Sequence, residues 1–293
     1  MTKNAFWVDY QPGFRFAQSP VGTSSFFQEV SAYRDAEEPH IPEVVGFSRW
    51  SGCDVLEAGC GIGTDAVRFA GAGARYTGID FSSSALTLAQ RRFSMEGLPG
   101  RFVAGSVMSL PFSDESFDLV FSHGVIHHVP RTEAAIDEFH RVLRPGGTML
   151  FMVYHRNSFN YFVSIMTIRR GLVGAMVVPK SEHLVSKLTG EPPEVLAGHR
   201  QLLREHGRRY ILDSGLFLSH NTDGPGNPLS KVYSRRQLVE MLAGRFTDVQ
   251  TTVRFLNLRP YPGGLRLART SAGRRMEKSL GWHLYVEGKK TAT

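Results

Sequence analysis

The residues best suited to chemistry in this 293-residue chain are a glycine run, an acid after the next strand and a pair of histidines. Val55-Leu56-Glu57-Ala58-Gly59-Cys60-Gly61-Ile62-Gly63-Thr64-Asp65 starts as a buried strand; Gly59, Gly61 and Gly63 then lead into a helix predicted over Thr64 to Ala72. A tight strand-to-helix turn needs residues without a Cβ that tolerate unusual dihedrals. It also lets a ligand lie on the backbone, beside amides at a helix N-terminus. Alone, a G-x-G-x-G run is a weak signal, because many glycine turns bind nothing. Tyr76-Thr77-Gly78-Ile79-Asp80 adds a second strand that ends in an acid, seventeen residues after Gly63. That spacing suits an acid that holds a ribose hydroxyl pair. It equally suits an N-cap for the helix after Ser82. Gly124-Val125-Ile126-His127-His128-Val129 follows a later strand. Histidine is the side chain best able to act as a base at neutral pH, and paired histidines there can also simply cap and pack.

The elements that must hold these residues alternate. Short β-branched or aromatic runs at 53–57, 75–79, 101–104, 117–122 and 148–154 are separated by helical stretches. That pattern predicts an α/β fold, a parallel sheet with helices on both faces. Ligands in such sheets bind beyond the carboxyl ends of the strands, where the glycine turn, Asp80 and the histidines all fall. Residues 1–25 read as an aromatic-rich arm with Phe6, Trp7, Tyr10, Phe14 and Phe16. Phe26 to Ala36 and His40 to Trp50 read as amphipathic segments. Residues 155–232 break the alternation, and their dense turn chemistry at Asn221 to Pro228 marks an insertion after the fifth strand. Its apolar stretch 159–178 suits either a lid that excludes water or a membrane surface. Ser234 to Gly244 is a predicted helix; Phe246 to Phe255 and Gly281 to Glu287 are predicted strands. Residues 256–280 form a basic connection. The chain thus divides into 1–50 (arm and cap), 51–154 (core), 155–232 (inserted lid) and 233–293 (C-terminal part of the sheet).

The remaining motifs come in order: Phe102-Val103-Ala104-Gly105-Ser106, Phe117-Asp118-Leu119-Val120-Phe121-Ser122-His123 and Arg141-Val142-Leu143-Arg144-Pro145-Gly146-Gly147. With the glycine turn, this set resembles the class I S-adenosylmethionine-dependent methyltransferases, in the branch that methylates small molecules. The resemblance covers residues 26–154 well and the C-terminal strands more loosely. It implies a doubly wound, mostly parallel, Rossmann-like sheet of seven strands with an antiparallel last strand and an N-terminal helical cap. It implies S-adenosyl-L-methionine as cofactor. Glu57 and the Gly59, Gly61 and Gly63 backbone would face its methionine part. Asp80 would take the ribose hydroxyls and Phe81 would lie against the adenine. Ser106 and Val107 would stand near the adenine amine, with Ser106 replacing the usual acid; His123 would end the fourth strand beside the methyl group. Tyr33 and, after the fifth strand, His155 are candidates for the acceptor pocket. Methyl transfer from a sulfonium needs the nucleophile held in line and water excluded. A base is needed only when the nucleophile carries a proton, and His127 or His128 is the candidate.

Composition narrows the alternatives. Cys53 and Cys60 are seven apart, with Cys60 inside the glycine turn, so no disulfide framework is expected. No signal region or apolar run of about 18 residues is present, which predicts a cytoplasmic protein without a spanning helix. Residues 1–154 carry 12 Lys/Arg and 17 Asp/Glu, whereas 155–293 carry 22 and 10. The basic half suits an anionic acceptor, or is a solvated face. No metal is expected, since the histidines lack tight ligand spacing with Cys or a carboxylate. An RNA methyltransferase that uses the basic half, and a cofactor-binding protein without catalysis, are the two other function classes.

Overall fold

A computed structural model of the chain describes residues 14–177, 181, 185–187, 191–259 and 261–291. The predicted arm residues Phe6, Trp7 and Tyr10 lie outside the described residues. The chain divides into two compact units. The first holds the described parts of 1–153, 235–255 and 283–293; the second holds those of 154–234 and 256–282.

The first unit is built on one seven-stranded sheet. In chain order its elements are α1 (Ser24–Glu37), α2 (Ile41–Val45), β1 (Asp54–Ala58), α3 (Ala66–Gly71), β2 (Arg75–Asp80), α4 (Ser83–Glu96), β3 (Arg101–Ala104), β4 (Phe117–His123), α5 (Thr132–Val142) and β5 (Leu143–Tyr154). After the second unit's elements, given below, come α10 (Arg235–Leu242), β6 (Phe246–Arg254) and β7 (His283–Lys290). The strand order is β3-β2-β1-β4-β5-β7-β6. β1 to β5 pair in parallel, and β6 and β7 form an antiparallel pair at the edge. This is the doubly wound sheet that the alternating pattern predicts.

One face of the sheet is dense with apolar side chains: Val55, Leu119, Phe121, Leu150, Met152 and Tyr285 pack against Ile41, Val45, Trp50 and Phe69. A central parallel strand is covered on both faces, which is why β4 and β5 read as nearly unbroken apolar runs. Helix α1 packs separately: its Phe26, Phe27 and Val30 meet Ile62 of the glycine turn and Ala85 of α4. The N-terminal cap is thereby seated on the turn.

Two boundaries differ from the sequence reading. β5 starts at Leu143, five residues before the predicted start. Arg144 Nη1 is 2.8 Å from both Asp54 Oδ2 and Asp118 Oδ1, and this ion-pair network draws the Arg-Pro-Gly-Gly stretch into the sheet. The helix expected from Thr64 begins at Ala66, and Asp65 at its N-cap position makes no side-chain cap bond. Its carboxylate is used elsewhere.

The second unit is helical. A π-helix (Asn160–Arg169) runs straight into α6 (Arg170–Ala175). Then follow α7 (Pro193–His206), α8 (Arg208–Leu212) and α9 (Ser214–Ser219). α7 ends at Gly207, whose φ is +56°. α11 (Gly264–Ala268) and α12 (Ser271–Leu280) complete the unit. Its interior is held by a buried polar network: Arg169 bonds Asn221 Oδ1 (2.7 Å) and His199 Nε2 (3.3 Å), and His199 Nδ1 lies 2.7 Å from Tyr210 Oη. Among the described residues, no helix is long and apolar enough to cross a membrane.

Candidate active site

The glycine turn follows β1. Gly59, Gly61 and Gly63 all have positive φ, at 85°, 52° and 78°. Gly59 is doubly constrained, since a Cβ there would collide with the side chain of Val125. That contact seats the 124–130 turn, with its histidines, directly on the glycine turn. Gly61 N donates to Asp80 Oδ2 (2.9 Å), and Ser82 N donates to Asp80 Oδ1 (2.9 Å). Asp80 therefore braces the glycine turn from the end of β2. Burial raises its pKa, and the amides of Ser82, Gly61 and Phe81 work against that rise. The cap of α4 is Ser82, whose Oγ accepts from Ala85 N at 3.3 Å. Phe81, beside Asp80, is exposed. Gly105 N donates to Asp80 O (3.0 Å), which brings the 105–107 loop to the same corner. There Ser106 is exposed and Val107 is buried.

Glu57 is buried. Its Oε2 accepts from Tyr76 Oη at 2.6 Å, and Gly78, its register partner on β2, leaves room for that phenol. Burial first, then the neighbouring Asp65, push the Glu57 carboxyl well above the usual carboxylate range. Cys60 is buried, and burial raises its thiol pKa, which makes it unreactive.

Beside this corner lies a polar array that the sequence did not reveal. Arg34 of α1 donates from Nη2 to Asp65 Oδ2 (2.6 Å), and its Nη1 lies 3.2 Å from Glu38 Oε2. The same Nη2 lies 3.1 Å from His123 Nδ1, and His123 Nε2 lies 2.9 Å from Tyr285 Oη. Tyr285 Oη reaches on to His40 Nε2 (3.1 Å), which is 3.3 Å from His283 Nδ1. An arginine can only donate. His123 Nδ1 must therefore accept, and the neutral ring carries its proton on Nε2, toward Tyr285. The phenol then directs its own hydrogen to His40. Burial, then the Arg34 charge, hold the His123 pKa well below its ordinary value, which keeps the ring neutral. With both nitrogens engaged, His123 is not a base.

Glu38, His123 and His283 place one carboxylate and two imidazoles within 4.8 Å of one another, a spacing that could suit a metal. The array argues against one. A cation would need the His123 Nε2 lone pair, and the Arg34 donor on Nδ1 places a proton there. It would also sit beside a guanidinium.

The other predicted residues are placed as follows. His127 is buried and His128 half-buried in the turn after β4, with ring centroids 4.1 Å apart. Tyr33 stacks on Phe16 at 3.8 Å. His155 belongs to the second unit, where it is buried with Nδ1 3.0 Å from Gly281 O. Glu57, the three glycines, Asp80, Phe81, Ser106, Val107, His123, His127, His128 and Tyr33 all belong to the first unit.

Residues 56–151 match a protein family described as a methyltransferase domain. By that match this part of the chain is similar to a methyltransferase domain. S-adenosyl-L-methionine is the cofactor that the resemblance of the sequence motifs implies. Relatives include a fatty-acid O-methyltransferase of Mycolicibacterium smegmatis, 41% identical over 33% of this chain and 35% of that protein. A phthiotriol/phenolphthiotriol dimycocerosates methyltransferase of Mycobacterium ulcerans is 42% identical over 34% and 37%. A sterol 24-C-methyltransferase of Gibberella zeae is 39% identical over 50% and 37%. The chain thus spans little more than a third of the length of these relatives. Among solved structures, a Methanosarcina mazei S-adenosylmethionine-dependent methyltransferase superposes with TM-score 0.54 at 19% identity, covering 86% of this chain and 98% of that one. A Pyrococcus horikoshii protein superposes at 0.51 with 14% identity, over 96% and 100%. These two likenesses show the fold.

The residues fit that cofactor. Around the glycine turn the carboxyls of Glu38, Glu57 and Asp65 face one guanidinium, that of Arg34. Asp65 Oδ1 is shut off from solvent and has no hydrogen-bond partner among the described residues. An open acceptor on Asp65, beside Glu38 and Glu57 carboxyls that a cation would help ionise, matches a ligand that carries a sulfonium and an ammonium.

Proposed function

We propose that this protein transfers a methyl group from S-adenosylmethionine to a small-molecule acceptor of the lipid class. The observation that carries the reading is the braced corner: Asp80 tied to Gly61, and Gly59 closed against Val125. In this reading Asp80 offers its remaining lone pairs to the ribose hydroxyls, Phe81 covers the adenine, and the 106–107 loop borders the adenine amine. Glu57, Asp65 and the glycine amides face the methionine part. When bound, the cofactor supplies an activated methyl; the chain positions the nucleophile and excludes water. Of the two candidate bases we assign the role to His128, which is half-buried where His127 is fully enclosed. Tyr33 remains a proposed acceptor contact of the first unit. The lipid class follows the acceptors named for the relatives, all of them largely apolar.

Two measurements test this. Titration with S-adenosylhomocysteine should show that Asp80→Ala weakens binding by about 1–3 kcal/mol, the scale of lost hydrogen bonds to a charged group. Undiminished affinity in a folded Asp80→Ala protein removes the ribose assignment. Turnover with labelled cofactor and candidate lipid acceptors should fall about a hundredfold in His128→Gln, the lower range for loss of a general base. Cofactor affinity should not change. An equal loss in His127→Gln alone would move the base to the buried ring.

A further inference from the structure

The helical hairpin α11–α12 is left without a role by methyl transfer. Residues 256–282 carry six Lys/Arg and one Asp/Glu. The hairpin is nonetheless a built structure. A Cβ on Gly264 would collide with Leu258 O, and one on Gly273 would collide with Leu267 O, so only glycine permits these approaches. Thr270 Oγ1 caps α12 by accepting from Gly273 N at 3.1 Å. Tyr261 ties the hairpin to the π-helix: its Oη donates to Ser164 Oγ (2.7 Å), and its ring meets Phe159 edge-on at 5.3 Å.

Arg266, Arg269, Arg274 and Arg275 are exposed, and none pairs with a carboxylate among the described residues. Between and beside them stand exposed aliphatic side chains: Leu265 at 49%, Leu267 at 41% and Leu280 at 36%. On the π-helix, Phe162 is 52% and Ile168 42% exposed. The whole unit has 16 Lys/Arg against 7 Asp/Glu. A merely solvated face would mix both charge signs and hide its leucines. A nucleic-acid face would pair its cations with exposed aromatics on which bases stack, and the hairpin exposes leucines instead. Cations interleaved with exposed aliphatics are what an interfacial segment on an anionic bilayer needs: apolar groups enter the acyl boundary while arginines meet the headgroups.

We propose that the α11–α12 hairpin docks this protein peripherally on an anionic phospholipid surface. The reading stands apart from the methyl-transfer proposal. The test is flotation of the full chain with phosphatidylcholine vesicles, with and without phosphatidylserine. Binding is expected only with phosphatidylserine and should weaken as salt rises. Changing Arg266, Arg269, Arg274 and Arg275 to Gln should lower vesicle affinity roughly fivefold for each charge removed. The pair Leu265→Ser and Leu267→Ser should also lower it, while the salt dependence remains. All six side chains are exposed, so melting temperature and S-adenosylhomocysteine affinity should stay unchanged in both variants, and each variant checks the other. Equal binding to both vesicles, or none to either, overturns the proposal. So does RNA binding tighter than vesicle binding that the leucine changes leave untouched.

Discussion

Replacing Arg34 by methionine should destabilise the first unit by about 3–5 kcal/mol, the cost of leaving a buried carboxylate without its partner. Asp65 is buried at 4% side-chain exposure, and the Arg34 guanidinium at 2.6 Å is the cation that compensates it. Methionine keeps the length and much of the volume of the arginine stem, so the packing of α1 is largely retained. The charge and the donors are lost. The same change removes the donor that fixes the His123 tautomer, and the polarised chain through Tyr285 to His40 loses its direction. Thermal unfolding should show a fall of roughly 10 °C, given the entropy of unfolding of a domain this size. Asp65→Asn is the matching control. It keeps an acceptor for Arg34, and Glu38 remains as a counter-ion, so its cost should be clearly smaller. If the two variants melt alike, the array is not organised by the Arg34 charge.

Acidification should destabilise the same region through His40 and His283, by about 2 kcal/mol each between pH 7 and pH 5. Burial drives both imidazoles down to a pKa of about 3; the neighbouring His283 adds to the shift of His40, and Arg34 adds to that of His283. The sign follows from the neutral ring being the folded form. The unfolded chain takes up these protons near pH 6.5, while the fold resists them until about pH 3. The contribution is therefore fully present above pH 6.5 and is lost as pH falls from there toward 3. Carboxyls oppose this. Burial raises the pKa of Glu38, and that of Glu57 well above its ordinary value, so those groups favour the fold as pH falls. Comparison with His283→Gln isolates the imidazole contribution: the variant should lose less stability than the parent between pH 7 and pH 5, by about 2 kcal/mol. Parallel stability curves for the two proteins would show that the buried rings do not set the acid limit.

What the sequence determined by itself was local. The alternation of apolar runs and helical stretches fixed a parallel sheet, because side-chain periodicity and helix caps act over a few residues. The glycine turn was legible because only glycine accepts φ of +85° with Val125 packed where a Cβ would stand. Asp80 was legible by its place at the end of a strand. Tertiary structure decided the rest. That Ser82 and not Asp80 caps α4 depends on Asp80 being engaged by Gly61, nineteen residues away. That Glu57 pairs with Tyr76 depends on the β1–β2 register, which sets Val55 opposite Tyr76 and Gly78 opposite Glu57. The array from Arg34 to His283 joins residues as far apart as His123 and Tyr285, 162 positions, and His40 and Tyr285, 245 positions. Those contacts form only after an antiparallel strand from the chain's end is laid into the sheet. No spacing along the chain announces them, because their geometry is set by strand order, and strand order is a property of the whole sheet.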